Sequence, residues 1–257
     1  MSTWLITGCS TGLGRALAGA VLAGGDNVVV TARDAGAVQD LAKEYPETAL
    51  AVALDVTDPG QVTASVQQAV ERFGAVDVLV NNAGYGYRAA VEEGEDDAVQ
   101  KMFATNVFGA VSMIQAVLPA MRERRAGTIV NISSIGAQMC PAGSGFYSAT
   151  KAALEGITGA LRKEVQPLGI TAFSVEPGGF RTDFAGRSLA QSAVPIADYA
   201  DTAGKRRKEN DTMDGNQPGD PAKAAAAIIQ VVGSPQPPEM LLLGTDAVNA
   251  YDAIMET

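Results

Sequence analysis

The sequence predicts an α/β domain in which a doubly wound parallel β-sheet of about seven strands is flanked by helices on both faces. Three observations support this fold class. The 257 residues are 47% hydrophobic, which is enough to bury a sizeable core in a single domain, 1–257. Short apolar runs alternate with longer amphipathic runs, as strands and helices do in parallel sheets covered on both faces. Such alternation implies right-handed crossover connections.

The strand candidates are rich in β-branched residues and almost wholly apolar, as expected for strands buried on both faces. Ligands of such sheets bind beyond the carboxyl ends of the strands, near the point where the strand order reverses. We therefore expect the functional residues to follow strands. The candidates are Thr3–Thr7, Asn27–Ala32, Ala49–Leu54, Val76–Asn81, Gly127–Ser133, Ile170–Glu176 and Glu239–Leu243.

Helices are predicted between these strands. Asp58 and Pro59 supply an N-cap and a first-turn proline, and an apolar stripe follows them from Val62 to Phe73. A later stripe runs from Leu154 to Leu168 and ends at Gly169. One segment, 184–220, is long, polar and weakly periodic. It predicts either a disordered insert or a lid over the ligand crevice, and we call it the lid segment.

Composition restricts the possible partners. The net charge of −10 argues against a nucleic-acid or anionic-membrane partner. The two cysteines, Cys9 and Cys140, form no disulfide framework, which favours a reducing, cytoplasmic location. No apolar run approaches the ~20 residues that cross a bilayer, so we expect no membrane partner.

The chain contains no histidine. This excludes a Ser-His-Asp triad, a Cys-His dyad and histidine-based metal sites, and we expect no metal. Catalysis would therefore use tyrosine, lysine, serine, asparagine or carboxylates.

The first strand is followed by Thr7–Gly14, TGCSTGLG, which we call the glycine turn. Its first part also fits the G-x-S-x-G elbow that presents a nucleophilic serine, here Ser10. That elbow needs a histidine base, and the chain has none. The other interpretation is a turn whose glycines let the phosphates of a dinucleotide approach backbone N–H groups at a helix N-terminus. A purely structural turn remains the alternative.

The end of the second strand bears on the choice of cofactor. An acidic residue there would bind the ribose 2′-hydroxyl of NAD, whereas an arginine accommodates the 2′-phosphate of NADP. Arg33 stands at this position and favours NADP(H), with NAD(H) possible. Asp34 follows it and could instead turn outward as the N-cap of the next helix.

Tyr147 and Lys151 lie at i and i+4, on one face of a predicted helix. A nearby ammonium, together with the positive charge of an oxidised nicotinamide, would lower the phenol pKa from ~10 toward neutrality. Ser134 follows a predicted buried strand, where its hydroxyl could hydrogen-bond a carbonyl oxygen. Asn106 interrupts an apolar helix face and would be either a core hydrogen-bonding residue or an anchor for an ordered water.

These residues together resemble the short-chain dehydrogenase/reductase family, in its one-domain branch of ~250 residues with a Rossmann-like fold. The resemblance runs along nearly the whole chain. "NVFGAV", "NISSIG" and "VEPGGFRTDF" are further similar to the 17β-hydroxysteroid and retinol dehydrogenase-like subgroup. The motifs are Thr7–Gly14, Asp55-Val56, Asn81-Asn82-Ala83-Gly84, Asn106, Ser134, Tyr147-x-x-x-Lys151 and Pro177-Gly178-x-x-x-Thr182.

The resemblance implies a role for each matching residue. Tyr147 would be the general acid/base, Lys151 would lower its pKa and hold the nicotinamide ribose, Ser134 would orient the substrate oxygen, and Asn106 would hold a water that links Lys151 to a proton relay. The implied cofactor contacts, besides Tyr147 and Lys151, are Gly8, Ser10, Thr11, Gly12, Leu13, Gly14, Arg33, Asp55, Val56, Asn82, Ala83, Gly84, Pro177, Gly178, Phe180 and Thr182.

The resulting hypothesis is an NADP(H)-dependent alcohol dehydrogenase or ketone reductase. The alternatives are a nucleotide-sensing protein without catalysis and an epimerase or dehydratase that uses the nicotinamide transiently. The wall of the substrate pocket is expected at Tyr85–Arg88, at Ala137–Gly143 and in the lid segment. Within it, Tyr85, Tyr87, Met139 and Phe184 suggest an apolar or aromatic alcohol or ketone as substrate, although they could equally pack the core or the lid. The resemblance also implies a homo-oligomer, dimer or tetramer, formed through the helices that carry Asn106 and Tyr147.

Overall fold

A computed structural model describes residues 1–184, 186, 188–213 and 215–256. Within this part of the chain, seven parallel strands form a central sheet and two short strands form a second one. The strands are β1 (Thr3–Ile6), β2 (Asn27–Ala32), β3 (Ala49–Ala53), β4 (Val78–Asn81), β5 (Gly86–Arg88), β6 (Gly127–Ile132), β7 (Ile170–Pro177), β8 (Leu189–Gln191) and β9 (Met240–Leu243).

The helices alternate with the strands along the chain. Asp58 caps α3 by accepting hydrogen bonds from the backbone N–H groups of Gly60 and Gln61, and Gly169 follows the apolar stripe with a φ of 74°. The helices are α1 (Gly12–Ala23), α2 (Gln39–Glu44), α3 (Pro59–Phe73), α4 (Asp96–Phe103), α5 (Ala110–Arg124), α6 (Gly136–Met139), α7 (Gly145–Val165), α8 (Ala203–Met213), α9 (Pro221–Val232) and α10 (Thr245–Met255).

The central sheet has the order β3-β2-β1-β4-β6-β7-β9, which confirms the predicted doubly wound fold. Successive side chains of a strand point to opposite faces, so each strand contributes to two cores. Ile6 packs with residues of α1 and α9 on one face. Leu5 packs with residues of α3, α5 and α7 on the other. Both side chains are fully buried.

The strand order reverses between β1 and β4, which pair in parallel with Leu5 opposite Leu79. The glycine turn follows β1, and residues 82–84 follow β4, so the two loops leave neighbouring strands at the same edge of the sheet. This is the position at which open α/β sheets bind their ligands.

The lid segment contains regular structure that its sequence did not reveal. Strand β8 pairs in parallel with β5, with Arg88 opposite Gln191. Helix α8 follows, and its Arg207 forms a 2.6 Å ion pair with Glu93 of the domain body. The described part of the segment is therefore attached to the domain, while positions 185, 187 and 214 lie outside the described residues.

Helices α4 and α5 are joined by a π-helical turn, Ala104–Gly109, into one helix from Asp96 to Arg124. This helix of 29 residues is long and apolar enough to cross a membrane by length and composition alone. However, 44% of its most apolar stretch is buried inside the fold, as in core helices of domains of this kind. The sequence analysis, which looked for an uninterrupted apolar run, did not single out this helix.

Candidate active site

Helix α7 places Tyr147 and Lys151 on one buried face. Tyr147 is 8% exposed and Lys151 is 5% exposed. The Lys151 Nζ donates a hydrogen bond of 2.8 Å to the carbonyl of Ile132, the last residue of β6. The same Nζ lies 5.8 Å from the centroid of the Tyr147 ring. The predicted pairing of the two side chains is therefore present in the structure.

Ser134 lies two residues beyond β6, where its hydroxyl is near enough to the phenol of Tyr147 to lower the pKa of that phenol as a hydrogen-bonding group. Its Oγ also accepts a 3.0 Å bond from the backbone N–H of Gly136. Ser133 points elsewhere, since its buried hydroxyl donates to the carbonyl of Lys151. The structure thus brings Ser134, Tyr147 and Lys151 together, with Ser134 as the serine beside the phenol.

The pKa values of this group are set mainly by burial. Desolvation raises the pKa of Tyr147, and the hydrogen bond from Ser134 and the charge of Arg88 oppose it. Desolvation lowers the pKa of Lys151 to about 8, and the charge of Glu155 opposes that change. The phenol pKa is therefore above its ordinary value in the protein alone, and its lowering by Lys151 stays a prediction for the complex with an oxidised nicotinamide.

Asn106 lies in the π-helical turn and is 1% exposed. Its Oδ1 accepts from the N–H of Tyr85 at 3.0 Å, and its Nδ2 donates to the carbonyl of Tyr85 at 2.9 Å and to Thr150 Oγ1 at 3.1 Å. Thr150 in turn donates to the carbonyl of Tyr147. The amide is thus a core hydrogen-bonding group that joins the loop after β4 to α7, and its role as a water anchor stays a prediction.

The glycine turn leaves backbone exposed where a phosphate could approach. Gly8 and Gly12 have φ values of 72° and 62°, which favour glycine. A Cβ on Gly14 would lie 2.5 Å from the carbonyl oxygen of Gly8 and would collide with Asn82 Nδ2. Helix α1 begins at Gly12, directly behind this turn. Its first N–H groups therefore lie at a turn that favours glycine through the positive φ at Gly8 and Gly12 and through close packing at Gly14.

Asn82 and its neighbours hold the glycine turn in place. The Nδ2 of Asn82 donates to the carbonyls of Thr7 and Gly8, at 2.9 and 3.0 Å. Thr7 Oγ1 accepts from the backbone N–H groups of Asn82 and Ala83. A Cβ on Gly84 would approach Asn106 Oδ1 at 3.0 Å. These residues line the crevice between β1 and β4, while Ser10, Thr11 and Leu13 are half-buried along the turn.

Arg33 follows β2 directly and is exposed. Its charge lowers the pKa of Tyr85, against the burial that raises it, so the two side chains lie on the same side of the molecule. Asp34 accepts a 2.9 Å hydrogen bond from the N–H of Gly36 and caps the short helical turn 35–38. Of the two roles considered for Asp34, the structure supports the N-cap.

The remaining predicted cofactor residues come from two further loops. Asp55 is half-buried after β3, where its Oδ1 accepts from the N–H and hydroxyl of Thr57. Val56 is buried and would contact a Cβ placed on Gly109.

The residues that end and follow β7 reach the glycine turn, since a Cβ on Gly12 would lie 3.4 Å from Thr182; Pro177, Gly178, Phe180 and Thr182 are half-buried. Gly178 has no room for a side chain, because a Cβ there would collide with Asp246 of α10, which accepts a 2.7 Å bond from the N–H of Gly179. Phe180 is half-buried against the core on the α1 face of the sheet.

The residues predicted to line the substrate pocket lie in different surroundings. Phe184 packs against Tyr147 with the two rings tilted, their centroids 5.6 Å apart. Tyr87 is 2% exposed and donates its hydroxyl to Glu95 at 2.9 Å, so it belongs to the core. Met139 is 49% exposed. The sequence placed Arg88 in this wall without a role, but the structure puts its guanidinium 5.9 Å from the Tyr147 ring centroid.

The fold and this buried serine–tyrosine–lysine group define a dinucleotide-binding oxidoreductase of the α/β class. A family model described as short chain dehydrogenase matches residues 2–193. An oxidoreductase of Botryotinia fuckeliana is 39% identical over 246 residues, which are 95% of this chain and 89% of that protein. The chain therefore belongs to the short-chain dehydrogenase family, as its motifs predicted.

Two solved structures are similar throughout. A short-chain dehydrogenase from Streptomyces avermitilis has a TM-score of 0.92 and 44% identity, with 100% of this chain and 94% of that chain covered. A 3-ketoacyl-(acyl-carrier-protein) reductase from Brucella melitensis, solved with NADH, has a TM-score of 0.78 and 28% identity, with 94% and 95% covered.

Proposed function

We propose that this protein is an NADP(H)-dependent oxidoreductase that interconverts a secondary alcohol and a ketone or aldehyde. The observation that carries the proposal is the convergence of half-buried Ser134 with buried Tyr147 and Lys151 beside the crevice between β1 and β4. The similarity to a ketoacyl reductase that binds NADH supports the same class of reaction. The subgroup resemblance adds no argument about the substrate.

Ser134, Tyr147 and Lys151 would each have a different role in such a reaction. A bound nicotinamide supplies or accepts the hydride. Ser134 donates a hydrogen bond to the substrate oxygen and so positions it beside the Tyr147 hydroxyl. Tyr147 gives its proton to that oxygen during reduction and removes it during oxidation. Lys151 stabilises the phenolate through its charge and, by resemblance, holds the nicotinamide ribose.

The shape of the crevice fits a dinucleotide. The positive φ values of Gly8 and Gly12 and the close packing of Gly14 against Asn82 shape this turn, and the start of α1 favours an anion there. The preference for NADP(H) rests on Arg33, which is exposed at the end of β2 and has no hydrogen-bonding or ion-pair partner among the described residues. A 2′-phosphate would give this guanidinium a partner.

The decisive experiment is Tyr147→Phe, assayed with a panel of ketones and secondary alcohols by the absorbance of the reduced nicotinamide. We expect turnover to fall by about 100-fold or more, since the proton donor is lost, with cofactor affinity within about threefold of wild type. Tyr45→Phe, on the opposite side of the sheet, is the control. Tight cofactor binding without turnover on any substrate would favour a sensor, and product formation without net cofactor turnover would favour an epimerase or dehydratase.

The cofactor is tested separately. We expect wild-type kcat/KM to be higher with NADPH than with NADH, and Arg33→Ala to reduce that ratio by about 10-fold or more, because a hydrogen bond to a charged group is lost. A wild-type preference for NADH would show that Arg33 has another role.

We also propose a homo-oligomer, dimer or tetramer, through the helix that carries Asn106. Its outer face has a groove of about 490 Å³ lined by apolar residues that include Val99 and Phe103, and Phe108 beside it is 63% exposed. Sedimentation of wild type and Phe108→Asp would test this interface.

A cytoplasmic location remains part of the proposal, supported by the two free cysteines.

A further inference from the structure

Arg88 is a buried cation on the substrate side of the site. It is the last residue of β5 and only 6% exposed. Its Nε and Nη1 are fully enclosed, and among the described residues nothing accepts a hydrogen bond from either. Buried charges in proteins are normally paired because their desolvation is costly. Two enclosed N–H donors without an acceptor therefore require an explanation.

Two other arginines of the chain, Arg207 and Arg181, have acceptors within the protein, as expected for a guanidinium group that stabilises the fold. Arg207 of α8 pairs with Glu93 at 2.6 Å. Arg181 donates to the carbonyls of Gln217 and Pro218, both at 3.0 Å. Arg88 has no comparable acceptor in the described part of the chain, although it is the most deeply buried of the three.

A second cation increases the local positive charge. Arg206 of α8 also has an enclosed Nε without an acceptor, while its Nη1 lies 3.4 Å from Glu209 Oε2. Burial and the charge of Arg206 together lower the pKa of Arg88 to about 10, and the nearby Tyr147 opposes this. An anion between the two guanidinium groups would remove the repulsion and satisfy the free donors.

The position of Arg88 relative to Tyr147 indicates which molecule would carry that anion. The guanidinium carbon lies 5.9 Å from the centroid of the ring whose hydroxyl we assign to proton transfer. Phe184 of the lid segment packs on the same ring. An anion at Arg88 would therefore belong to a molecule that also reaches the phenol, and it would be separated from the reacting carbon by only a few bonds.

We propose that Arg88, with Arg206 of the lid segment, binds a carboxylate of the substrate, so that the substrate is a keto acid or hydroxy acid rather than a neutral ketone. This inference rests on the function proposed above and specifies its substrate class. It adds two charged groups to a wall in which Phe184 and Met139 are aromatic or apolar.

A different role for Arg88 makes a different prediction. Its charge opposes the burial that raises the Tyr147 pKa, so it could act on the phenol alone. Loss of the cation would then slow the reaction of acidic and neutral substrates by the same factor and would shift the pH profile of kcat. Binding of a substrate carboxylate instead affects the acidic substrate selectively, mainly through kcat/KM.

The first experiment compares meta-acetylbenzoate with meta-acetylbenzamide, which have the same shape but differ in charge. We expect wild type to prefer the acid. Arg88→Met should lower kcat/KM for the acid by about 10- to 100-fold and for the amide by less than about threefold, as expected when a hydrogen bond to a charged group is lost. Arg88→Lys should recover part of the loss, because it restores the charge without the fork of donors. Arg72→Met, an arginine 43% exposed on α3, is the control.

The second experiment requires no turnover. Calorimetric titration of benzoate and benzamide into the protein saturated with oxidised cofactor should show benzoate binding that Arg88→Met weakens by about 10-fold or more, while cofactor affinity stays within about twofold. If benzoate binding depends on Arg88 but no ketone is reduced, the carboxylate site stands and the proposed reaction fails.

Equal losses for acid and amide, or benzoate binding that is unchanged in Arg88→Met, overturn the carboxylate site and leave the proposed reaction intact. A loss of cofactor affinity in Arg88→Met would assign the residue to the cofactor and would also overturn the inference.

Discussion

Replacement of Glu93 by glutamine tests what attaches the lid segment to the domain. The Glu93 side chain is fully buried. Its carboxylate pairs with Arg207 of α8 at 2.6 Å and accepts from the backbone N–H groups of Ile196 and Ala90, each at 2.8 Å. One carboxylate therefore connects the body to two separate parts of the lid segment.

The size of the effect follows from the pKa of this carboxyl. The hydrogen bond from Arg207, with backbone donors and the charge of Arg207, lowers the pKa of Glu93 from 4.5 to about 2 against its burial. Each pKa unit corresponds to about 1.4 kcal/mol, so the ionised form contributes about 3 kcal/mol at neutral pH. Glutamine keeps a neutral acceptor, and we therefore expect Glu93→Gln to reduce the free energy of unfolding by about 2 to 3 kcal/mol.

The pH dependence of the free energy of unfolding provides a second, independent test of the role of Glu93. A carboxyl with a lowered pKa contributes its full stabilisation above its ordinary value of 4.5, and loses it as the pH falls toward about 2. The difference between wild type and Glu93→Gln should thus be constant from neutral pH down to about pH 5 and shrink below it. Urea unfolding across this range measures the difference, and hydrogen exchange of residues 188–209 shows where protection is lost.

Glu92→Gln is the matched control, since the adjacent Glu92 is exposed and accepts only the hydroxyl of Tyr199 among the described residues. We expect this variant to remain within about 0.5 kcal/mol of wild type. The reasoning would be refuted if Glu93→Gln matched Glu92→Gln in stability, or if its deficit persisted unchanged under acid conditions.

Two further predictions concern the crevice and the core. Gly14→Ala should weaken cofactor binding by about 10-fold or more in a fluorescence titration, because its Cβ collides with Asn82 and approaches Gly8. Gly19→Ala, with open space around its Cβ, is the control and should bind the cofactor as wild type does. Equal cofactor binding by the two variants would contradict the assignment of the glycine turn to the cofactor. Burial, together with the neighbouring Glu155, raises the pKa of Glu176 above its ordinary value of 4.5, so the native state loses stability as the pH rises above that value. Glu176→Gln should remove that decline and be more stable than wild type at alkaline pH, and parallel pH–stability curves would exclude this role.

The central sheet could be predicted from the sequence because each of its strands is a short apolar run, buried on both faces in the middle of the sheet and partly buried at the edge strands β3 and β9. The predicted boundaries differ from the observed ones by no more than two residues, as for Val76–Asn81 against β4 at Val78–Asn81. The glycine turn and the Tyr147–Lys151 pair were equally visible, since each depends on residues close together in the chain.

The rest depends on contacts between distant residues. Strands β5 and β8 have only three residues each and lie about a hundred positions apart, so neither shows the periodicity of a strand on its own. The attachment of the lid segment likewise depends on Glu93 and Arg207, which no local pattern connects. Arg88 could be placed in the pocket wall, but its lack of an acceptor is visible only once every neighbour is known.

The π-helical turn at Ala104–Gly109 also has a consequence for how this protein can change over evolution. In a regular α-helix each residue advances the side-chain direction by about 100°, and a π-turn accommodates one additional residue within the same helix. The helix can therefore bury Met102 before the turn and Met113 after it, while Asn106 reaches the loop that leads to Arg88. Deletion of one residue of this turn other than Asn106 would leave every functional side chain in the sequence. It would still rotate the part of the helix before the turn relative to the part after it, so that Met102 and Met113 could no longer both be buried. A deletion in this helix should therefore impair the site where many single substitutions would not.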